Sequence, residues 1–389
     1  SARPRNMMDG VASLISAEDT NPEVRAHTSS STEVYSGAVD IDRPRKETEY
    51  YWKEYKRNPI ISTQINSLDY EVFEAGYWVE ADSEETQEEL SEFLTNIGVN
   101  SGQVHRPFRE VGSQALTQYM VRGTYLGEQV MEEIDGEKRH VGVSPISVTT
   151  VEMYTKEGSP VLASPDYKNE QADEQFVKKT PDGKTAAYVQ FDDTDTRWGD
   201  RKERRFARDQ VLHWARKPDV GEARGTSVIE SVFDRSMAYR EKLQDNDLAI
   251  SMKAWPMILF QMGSPEHPWT EEEQRKFLET YSEGELGPAT FQGVPGDIDI
   301  HEFAGETADI REHVNTDVDH IIAGMPGPRY SIGSFAMDSS DALTSAHERQ
   351  YRKLIRQLRR DLENVFTPYL KDVAESWGYD PSGVELNIG

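Results

Sequence analysis

The longest uninterrupted helical pattern in the chain runs from Gly225 to Trp255. Apolar residues recur in it at roughly helical spacing, and no further glycine or proline interrupts it before Pro256. A helix of about 28 residues would be about 42 Å long, well above the average for globular domains. Charged residues crowd its second half, so the pattern predicts a helix anchored at one end and half exposed at the other. An ordinary buried helix with one charged face would give the same pattern.

The residues before this helix mix helical and strand-like patterns. Helices are predicted over Glu47–Lys56, from Pro59 onward, over Ser83–Ile97 and over Pro107–Tyr125 with an end near Gly123, and strands over Tyr70–Glu80 and Leu126–Ile134. Asp135 and Gly136 form a strong hairpin-turn signal. Strand-like alternation dominates from Val141 to Trp214, apart from a polar insertion at Ser159–Gly183. These patterns predict an α+β body with an antiparallel sheet.

A small module and two more helices are predicted after the central helix. Pro256–Met262 is strand-like, Thr270 and Glu273 form a capping box at the start of a helix, and FQGVPGDIDIHEF is a second strand region. A helix within ETADIREHVNTDVDHIIAGM and a segment rich in glycine, proline and serine follow. The last long helix is predicted over Ser345–Trp377, with a kink at Pro368 and a short polar tail after it.

Composition makes the chain strongly acidic. It has 389 residues, with 70 acidic and 43 basic side chains and a net charge of -27. Sixteen lysines leave 27 arginines among the basic residues. Dispersed acidity with little lysine is typical of proteins that stay soluble in concentrated salt, so we expect a halophilic, haloarchaeal source; a plain acidic mesophilic protein is the alternative. The acidity argues against a general nucleic-acid-binding surface, although DNA that slides past without sticking remains compatible with it.

Other compositional features exclude several classes of chemistry. Cysteine is absent, which excludes disulfides, thiol catalysis and cysteine-ligated zinc. No run of 18 apolar residues predicts a membrane span, and the N-terminal residues lack the apolar core of a signal peptide. We therefore expect no association with a membrane.

Signatures of catalysis are also missing. The chain has no G-x-x-x-x-G-K-[ST], G-x-G-x-x-G, G-x-S-x-G or H-E-x-x-H motif. The weak candidates for cation binding are Asp192, Asp193 and Asp195, which superficially resemble a calcium loop, and Asp317, Asp319 and His320, for which a solvated charged face is the favoured interpretation. His213 is predicted to be a strand histidine and not a ligand. We predict no enzyme activity, no catalytic residue, no metal and no cofactor.

Four stretches, taken in order, resemble a known family. They are YKRNPIISTQINSLDYEVF, FREVGSQALTQYMVRGTYLGEQVMEE, DQVLHWARKPDVGEARGTSVIESVFD and VDHIIAGMPGPRYSIGSF, and with the helices around them they span about residues 47 to 375. Their order and spacing resemble the portal proteins, or head-to-tail connectors, of tailed double-stranded DNA viruses. The resemblance implies a ring, usually of twelve copies, at one vertex of the capsid. The ring would be the channel for genome packaging and ejection.

The resemblance also implies partners and a location. The partners would be further copies of the chain, double-stranded DNA bound without sequence preference, the major capsid protein, the terminase large subunit and a head–tail adaptor. The protein would reside in the virion at the capsid vertex, and in the host cytoplasm during assembly.

A portal-like division of the chain follows from the resemblance. The α+β ring subunit would have an antiparallel-sheet wing, two long stem helices, a small α/β clip and a C-terminal long helix. The implied segments are 1–45 as an N-terminal arm, 46–225 as the wing, 226–254 as the first stem helix, 255–305 as the clip, 306–323 as the second stem helix, 324–344 as the tunnel loop, 345–368 as the wing helix and 369–389 as a short crown or C-terminal tail.

Two groups of site residues are expected on this basis. The expected channel-facing residues are Glu306, Asp309, Glu312, Asp319, Arg329, Tyr330, Ser331, Ser334, Ser339 and Ser340. The residues expected at the interface between neighbouring stems are Arg240, Glu241, Lys242, Asp245 and Asp247.

Two other classes of protein remain open. One is a different virion or tail structural protein that encircles DNA without packaging it. The other is a halophilic hydrolase that uses a pair of carboxylates. A monomeric chain would favour the hydrolase, and a ring would favour either structural protein.

Overall fold

The structure is a computed structural model of the chain. It describes residues 39–42, 45–99, 105–156, 178–191, 203–219, 222–254, 257–262, 269–282, 291–295, 299–303, 311–327 and 341–389.

The described residues form both helices and strands, in mixed order. The helices are α1 (Glu47–Arg57), α2 (Pro59–Val72), α3 (Glu84–Thr95), α4 (Phe108–Arg122), α5 (Phe233–Ala254), α6 (Glu271–Ser282), α7 (Arg311–Gly324) and α8 (Asp341–Ser376). The strands are β1 (Val39–Asp42), β2 (Tyr77–Glu80), β3 (Thr124–Ile134), β4 (Glu137–Ile146), β5 (Val151–Lys156), β6 (Tyr188–Phe191), β7 (Glu203–Phe206), β8 (Val211–Ala215), β9 (Met257–Met262), β10 (Phe291–Pro295), β11 (Asp299–Phe303) and β12 (Glu385–Ile388).

Small sheets join these strands. The sheet orders are β1-β5-β6-β7, β4-β3-β8 and β12-β2, all antiparallel, and β10-β9-β11, in which β10 is parallel to β9. The predicted α+β class with antiparallel sheets is confirmed. The β3–β4 hairpin turns at Asp135 and Gly136, both with positive φ, as the two-residue turn signal predicts.

The main apolar core lies between the helices of the body. It joins α2, α3, α4 and α8, with Ile61, Leu68, Leu90, Phe108 and Phe366 fully buried. Phe108 meets Phe366 edge to face, with 5.1 Å between ring centroids. A second cluster fills the space under β5, β6 and β8. Burial of one face explains the apolar periodicity of these four helices.

The C-terminal residues are part of this body. Tyr369, Leu370 and Val373 are buried at the end of α8, and β12 pairs with β2, which lies some 300 positions earlier in the chain. The prediction of a polar tail was therefore wrong. Polar and apolar residues alternate in β12, but over only four residues, and the strand that pairs with it is remote in sequence. The strand was therefore missed. Helix α8 continues through Pro368, and the predicted kink there stays a prediction.

The start of the central helix was also predicted wrongly. Residues 225–229 are not helical; a 3-10 turn at Glu230–Val232 leads into α5. Ser227 Oγ donates to the Val121 carbonyl at 2.6 Å, and the Val228 N–H donates to the Met120 carbonyl at 3.0 Å. This segment therefore satisfies carbonyl groups at the end of α4 instead of beginning the next helix.

Smaller differences lie at element boundaries. Residues 70–72 belong to α2 and only 77–80 form a strand, the end of the expected N-terminal arm forms β1, residues 299–303 form a strand separate from β10, and α8 already begins at Asp341. Residues 1–38, Asp192, Asp193, Asp195 and most of the polar insertion lie outside the described residues.

Two glycines meet where the chain leaves the body. Gly123 ends α4 with a φ of 75°, and a Cβ atom there would collide with the Gly225 carbonyl. Gly225 in turn lies against the backbone of Gly123 and Arg216. Both residues must lack a side chain for the two segments to pack this closely.

We predict that Gly123→Ala destabilises the fold more than Gly136→Ala does. Both residues have positive φ, so each substitution costs about 1 kcal/mol in backbone conformation. Only at Gly123 does the new methyl group also meet backbone, which adds about 1–3 kcal/mol, because nothing lies within 4 Å of a Cβ at Gly136. Urea unfolding of the two variants measures the difference. Equal losses would show that the contact with Gly225 relaxes freely.

Candidate functional site

Helices α5 and α7 pack against each other and connect the body with the β9–β11 module. The chain leaves the body through α5, forms the module and returns through α7. A helix, a small module and a second helix therefore follow one another in the predicted order, and their assignment as stem helices and clip stays a prediction. Residues 304–310 lie outside the described residues, so the second helix is described only from Arg311.

A buried carboxylate holds the base of α5. Glu54 on α1 is 2% exposed and accepts a hydrogen bond from Arg240 Nη1 at 2.7 Å. Ser236 Oγ also donates to Glu54, and Asn58 Nδ2 donates to Ser236 Oγ at 2.7 Å. Ser236 and Arg240 are four residues apart, so they lie on one face of α5. This network fixes both the position and the rotation of the helix against the body.

A second buried carboxylate ties α7 to α5. Asp317 on α7 is 2% exposed, and its Oδ2 lies 2.5 Å from Lys242 Nζ. Arg235 lies on its other side, with 3.8 Å between Nη1 and Oδ1. The expectation of a solvated charged face was therefore wrong for Asp317 and holds for Asp319 and His320, which are exposed.

These pairs change the expected interface between stems. Arg240 and Lys242, both expected to face a neighbouring copy, form ion pairs within the chain. Glu241, Asp245 and Asp247 are exposed. The structure therefore separates the five residues into two that form ion pairs within the chain and three that are exposed.

Exposed apolar side chains accompany the three surface charges. Met237 is 41% exposed, Leu248 60% and Ile250 50%. Met237, Glu241 and Leu248 follow i, i+4 and i+11 spacing and share one face of α5. We call this surface, from Met237 to Leu248, the outer face of α5. The sequence analysis did not identify this apolar surface, because helical spacing alone does not show which apolar side chains lack a packing partner.

The expected channel residues are only partly described. Asp319 is exposed, and Glu312 lies in the first turn of α7. The other expected channel residues, Glu306, Asp309, Arg329, Tyr330, Ser331, Ser334, Ser339 and Ser340, lie outside the described residues. The described residues just before position 328 pack tightly against the body of the protein. Gly324 lies against Val232, and Gly327 lies against Gln64.

A charged groove of about 800 Å³ lies beside the β3–β4 hairpin. Its carboxylates include Glu128, Glu132 and Glu203. Burial raises the pKa of Glu203, but hydrogen bonds from Lys178 and Arg205 outweigh this and lower the pKa overall. A carboxylate that is held ionised in this way does not suit the role of a general acid, which a hydrolase would need.

The described residues show neither a group of metal ligands nor a membrane-spanning helix. No group of three or more metal-ligating side chains lies close enough together there to hold a metal ion. No helix in the described part of the chain has both the length and the apolar composition needed to cross a bilayer.

His213 is a strand histidine, as the sequence predicted. It lies in β8, and its Nδ1 is 3.0 Å from the Tyr188 hydroxyl oxygen. Burial lowers the pKa of His213 to about 4, and the positive charge of Arg224 adds to the effect. The imidazole is therefore neutral at physiological pH.

Comparisons with known proteins bear on the fold. No protein-family model matches the chain, and no curated protein matches it in sequence. A chain from the neck of an empty gene transfer agent (GTA) particle, computed with C6 symmetry, has a TM-score of 0.56 and 13% identity, over 92% of this chain and 88% of that chain. A chain from the neck of the native particle, computed with C12 symmetry, has a TM-score of 0.51 and 12% identity, over 90% and 85%.

A crystal structure of an HK97-family phage portal protein from Corynebacterium diphtheriae has a TM-score of 0.41 and 11% identity, over 81% of this chain and 89% of that chain. The two neck chains establish the fold: almost the whole of this chain folds like a chain from the neck of a gene transfer agent particle.

We predict that Arg240→Ala lowers the free energy of unfolding by about 2–4 kcal/mol, because it leaves the Glu54 carboxylate buried without its cationic partner. The matched control is Arg352→Ala. Arg352 pairs with Glu348 on the exposed face of α8, and loss of that pair is worth less than about 0.5 kcal/mol. Chemical denaturation of both variants tests the prediction. Similar small losses would show that Glu54 is satisfied without Arg240.

We predict that His213 makes the fold less stable as pH falls. Its folded pKa is below the unfolded value of 6.5, so the unfolded state binds the proton more readily. This stability is present above pH 6.5 and is lost between 6.5 and about 4, by about 2–3 kcal/mol.

Stability curves between pH 7 and pH 4.5 for the wild type and His213→Gln measure this contribution. The variant should lose less stability over that range, whereas the exposed-site control His320→Gln should follow the wild type. Parallel curves for all three proteins would contradict the assignment.

Proposed function

We propose that the chain is a portal subunit that forms a ring at one vertex of a tailed-virus capsid or a related particle. The observation that carries the proposal is the pair of packed helices, α5 and α7, between an α+β body and a small strand–helix–strand module. The fold of the gene transfer agent neck chains and the resemblance of four sequence stretches to portal proteins support the same conclusion.

A ring requires each copy to contact the next through two different surfaces that close on themselves. The outer face of α5 supplies one such surface, because Met237 and Leu248 are exposed there beside Glu241 and Asp245. The buried ion pairs at Glu54 and Asp317 hold this face in a fixed orientation. We propose that it contacts a neighbouring copy.

The number of copies and the partners belong to the same proposal. Particle necks with a chain of this fold are computed with C12 and with C6 symmetry, and a ring of twelve is compatible with both. We propose that double-stranded DNA passes through the ring, that the β9–β11 module meets the packaging motor and later the head–tail adaptor, and that the body meets the major capsid protein. The protein would then act without catalysis. A haloarchaeal host, suggested by the acidic composition, stays a proposal.

Within the ring, the acidic residues of the second stem helix are proposed to face the DNA. Asp319 is exposed on α7, and Glu306, Asp309 and Glu312 precede it. Carboxylates repel phosphate, so a lining of this kind favours passage of DNA over tight binding. The segment 328–340 is proposed to reach the DNA from the end of α7.

Imaging of the purified chain tests the proposal directly. Native mass measurement and negative-stain images should show closed rings of about twelve copies. A chain that stays monomeric at all concentrations and salt conditions would contradict a portal and would favour the hydrolase. A ring that never associates with a packaging ATPase would favour another DNA-encircling structural protein.

We predict that Leu248→Ser weakens assembly of the ring. Loss of an exposed apolar side chain at each contact removes about 1–2 kcal/mol of association free energy per interface, so assembly should need at least about tenfold more protein. Tyr70→Ser is the matched control, because Tyr70 is even more exposed but lies on α2. Sedimentation across a concentration series measures the effect. Unchanged assembly of the Leu248 variant would remove the outer face of α5 from the interface.

A further inference from the structure

One surface of this acidic protein is basic. Residues 349–360 of α8, RQYRKLIRQLRR, contain six basic and no acidic residues, in a chain with a net charge of -27. The same helix buries Tyr351, Ile355 and Leu358 on its opposite side. The basic residues therefore follow the exposed side of an anchored helix and not the core.

Four of these residues form a single line. Arg349, Lys353, Arg356 and Arg360 follow i, i+4, i+7 and i+11 spacing, and all four are exposed. We call them the basic stripe of α8. At 1.5 Å per residue the stripe is about 17 Å long.

The other two basic residues of the segment are engaged within the chain. Arg359 donates to the carbonyls of Val72, at 2.9 Å from Nε, and Glu71, at 2.6 Å from Nη2, and so caps the end of α2. Arg352 pairs with Glu348. By contrast, none of the ion pairs found among the described residues involves Lys353, Arg356 or Arg360. These three charges are therefore available to an external anion.

The chemistry of the stripe suits phosphate better than a protein partner. Interfaces between protein chains are enriched in arginine but depleted of lysine and have an apolar centre, whereas interfaces with DNA are polar and strongly positive. The exposed neighbours of the stripe on α8 are Glu348, Gln350, Arg352 and Gln357, all polar or charged. The large exposed apolar side chains lie on other elements, including the outer face of α5.

The stripe follows closely in sequence after the segment that we propose to reach DNA. Helix α8 begins at Asp341, directly after segment 328–340. Lys353 is 12 residues into the helix, about 18 Å along its axis. A duplex that contacts segment 328–340 would therefore meet the positive charge of the stripe about 18 Å further along α8. Over that distance one DNA strand presents a phosphate about every 3.4 Å of its axis.

We propose that the basic stripe of α8 binds the phosphate backbone of double-stranded DNA without reading its sequence. This inference rests on the proposed ring. It assigns attraction for DNA to one line of side chains on a surface that otherwise repels it. Arginine contacts phosphate through paired N–H groups and lysine through a point charge, so both residue types of the stripe fit this ligand.

The test is binding of a 30-base-pair duplex of random sequence by the purified full chain. The variant is Lys353→Gln with Arg356→Gln and Arg360→Gln, and fluorescence anisotropy is followed over a series of salt concentrations. Loss of three phosphate contacts should reduce the slope of log affinity against log salt by about 3, and affinity at the lowest salt should fall at least about tenfold.

The control removes the same charge from another exposed surface. Lys53→Gln with Lys56→Gln and Arg57→Gln on α1 takes away three exposed positive charges. Its slope of log affinity against log salt should equal that of the wild type. The stripe variant should fold normally, because its changed side chains are exposed, and circular dichroism and thermal unfolding check this.

Several results would overturn the inference. They are wild-type DNA binding by the stripe variant, equal losses in the stripe variant and the control, or failure of the stripe variant to form rings that the control still forms. The last result would show that the stripe contacts a second copy of the chain. Absence of rings in the wild type would instead contradict the proposed function, so the two failures are distinguishable.

Discussion

The architecture depends on a carboxylate that has been removed from water. Burying Glu54 costs several kcal/mol unless its oxygens are bonded, and the partners that bond it are Arg240 and Ser236 on α5, with Asn58 completing the network. These partners meet Glu54 at one position and one rotation of the helix. The network therefore sets which residues of α5 face outward, and Asp317 extends the same constraint to α7 through Lys242. In the proposed ring, a helix fixed in this way would present the same surface to a neighbour in every copy.

The sequence predicted those parts of the fold whose causes are local. Helix α4, its end at Gly123 and the hairpin at Asp135 and Gly136 each carry a periodic or turn signal within a few residues. It failed where the cause is a remote partner: residues 225–229 are shaped by contacts with α4, and β12 exists because β2 offers it an edge. Glu54 was missed for a different reason. Among 70 acidic residues, a single buried carboxylate on an amphipathic helix has no distinguishing pattern.

Basic residues are outnumbered in this chain, 43 against 70 acidic ones, and several of those that the structure describes bond to other parts of the chain. Arg224 is 4% exposed and donates to the carbonyls of Val148 and Val151, Arg240 neutralises Glu54, and Arg359 caps a helix. Such arginines do structural work that a lysine, with its single ammonium group, performs less well. The stripe on α8 stands apart from them, because its charges lie on the surface and three of them have no such role among the described residues.

The proposed ring joins copies that repel one another, since each carries a net charge of -27. Apolar contacts such as those that Leu248 offers do not depend on charge and are not screened by salt. They can therefore supply the attraction that offsets this repulsion. The same acidity would keep DNA from adhering to the general surface of the proposed ring. Attraction confined to one line of basic residues would then hold a duplex in position while the carboxylates around it keep the binding weak enough for the duplex to move.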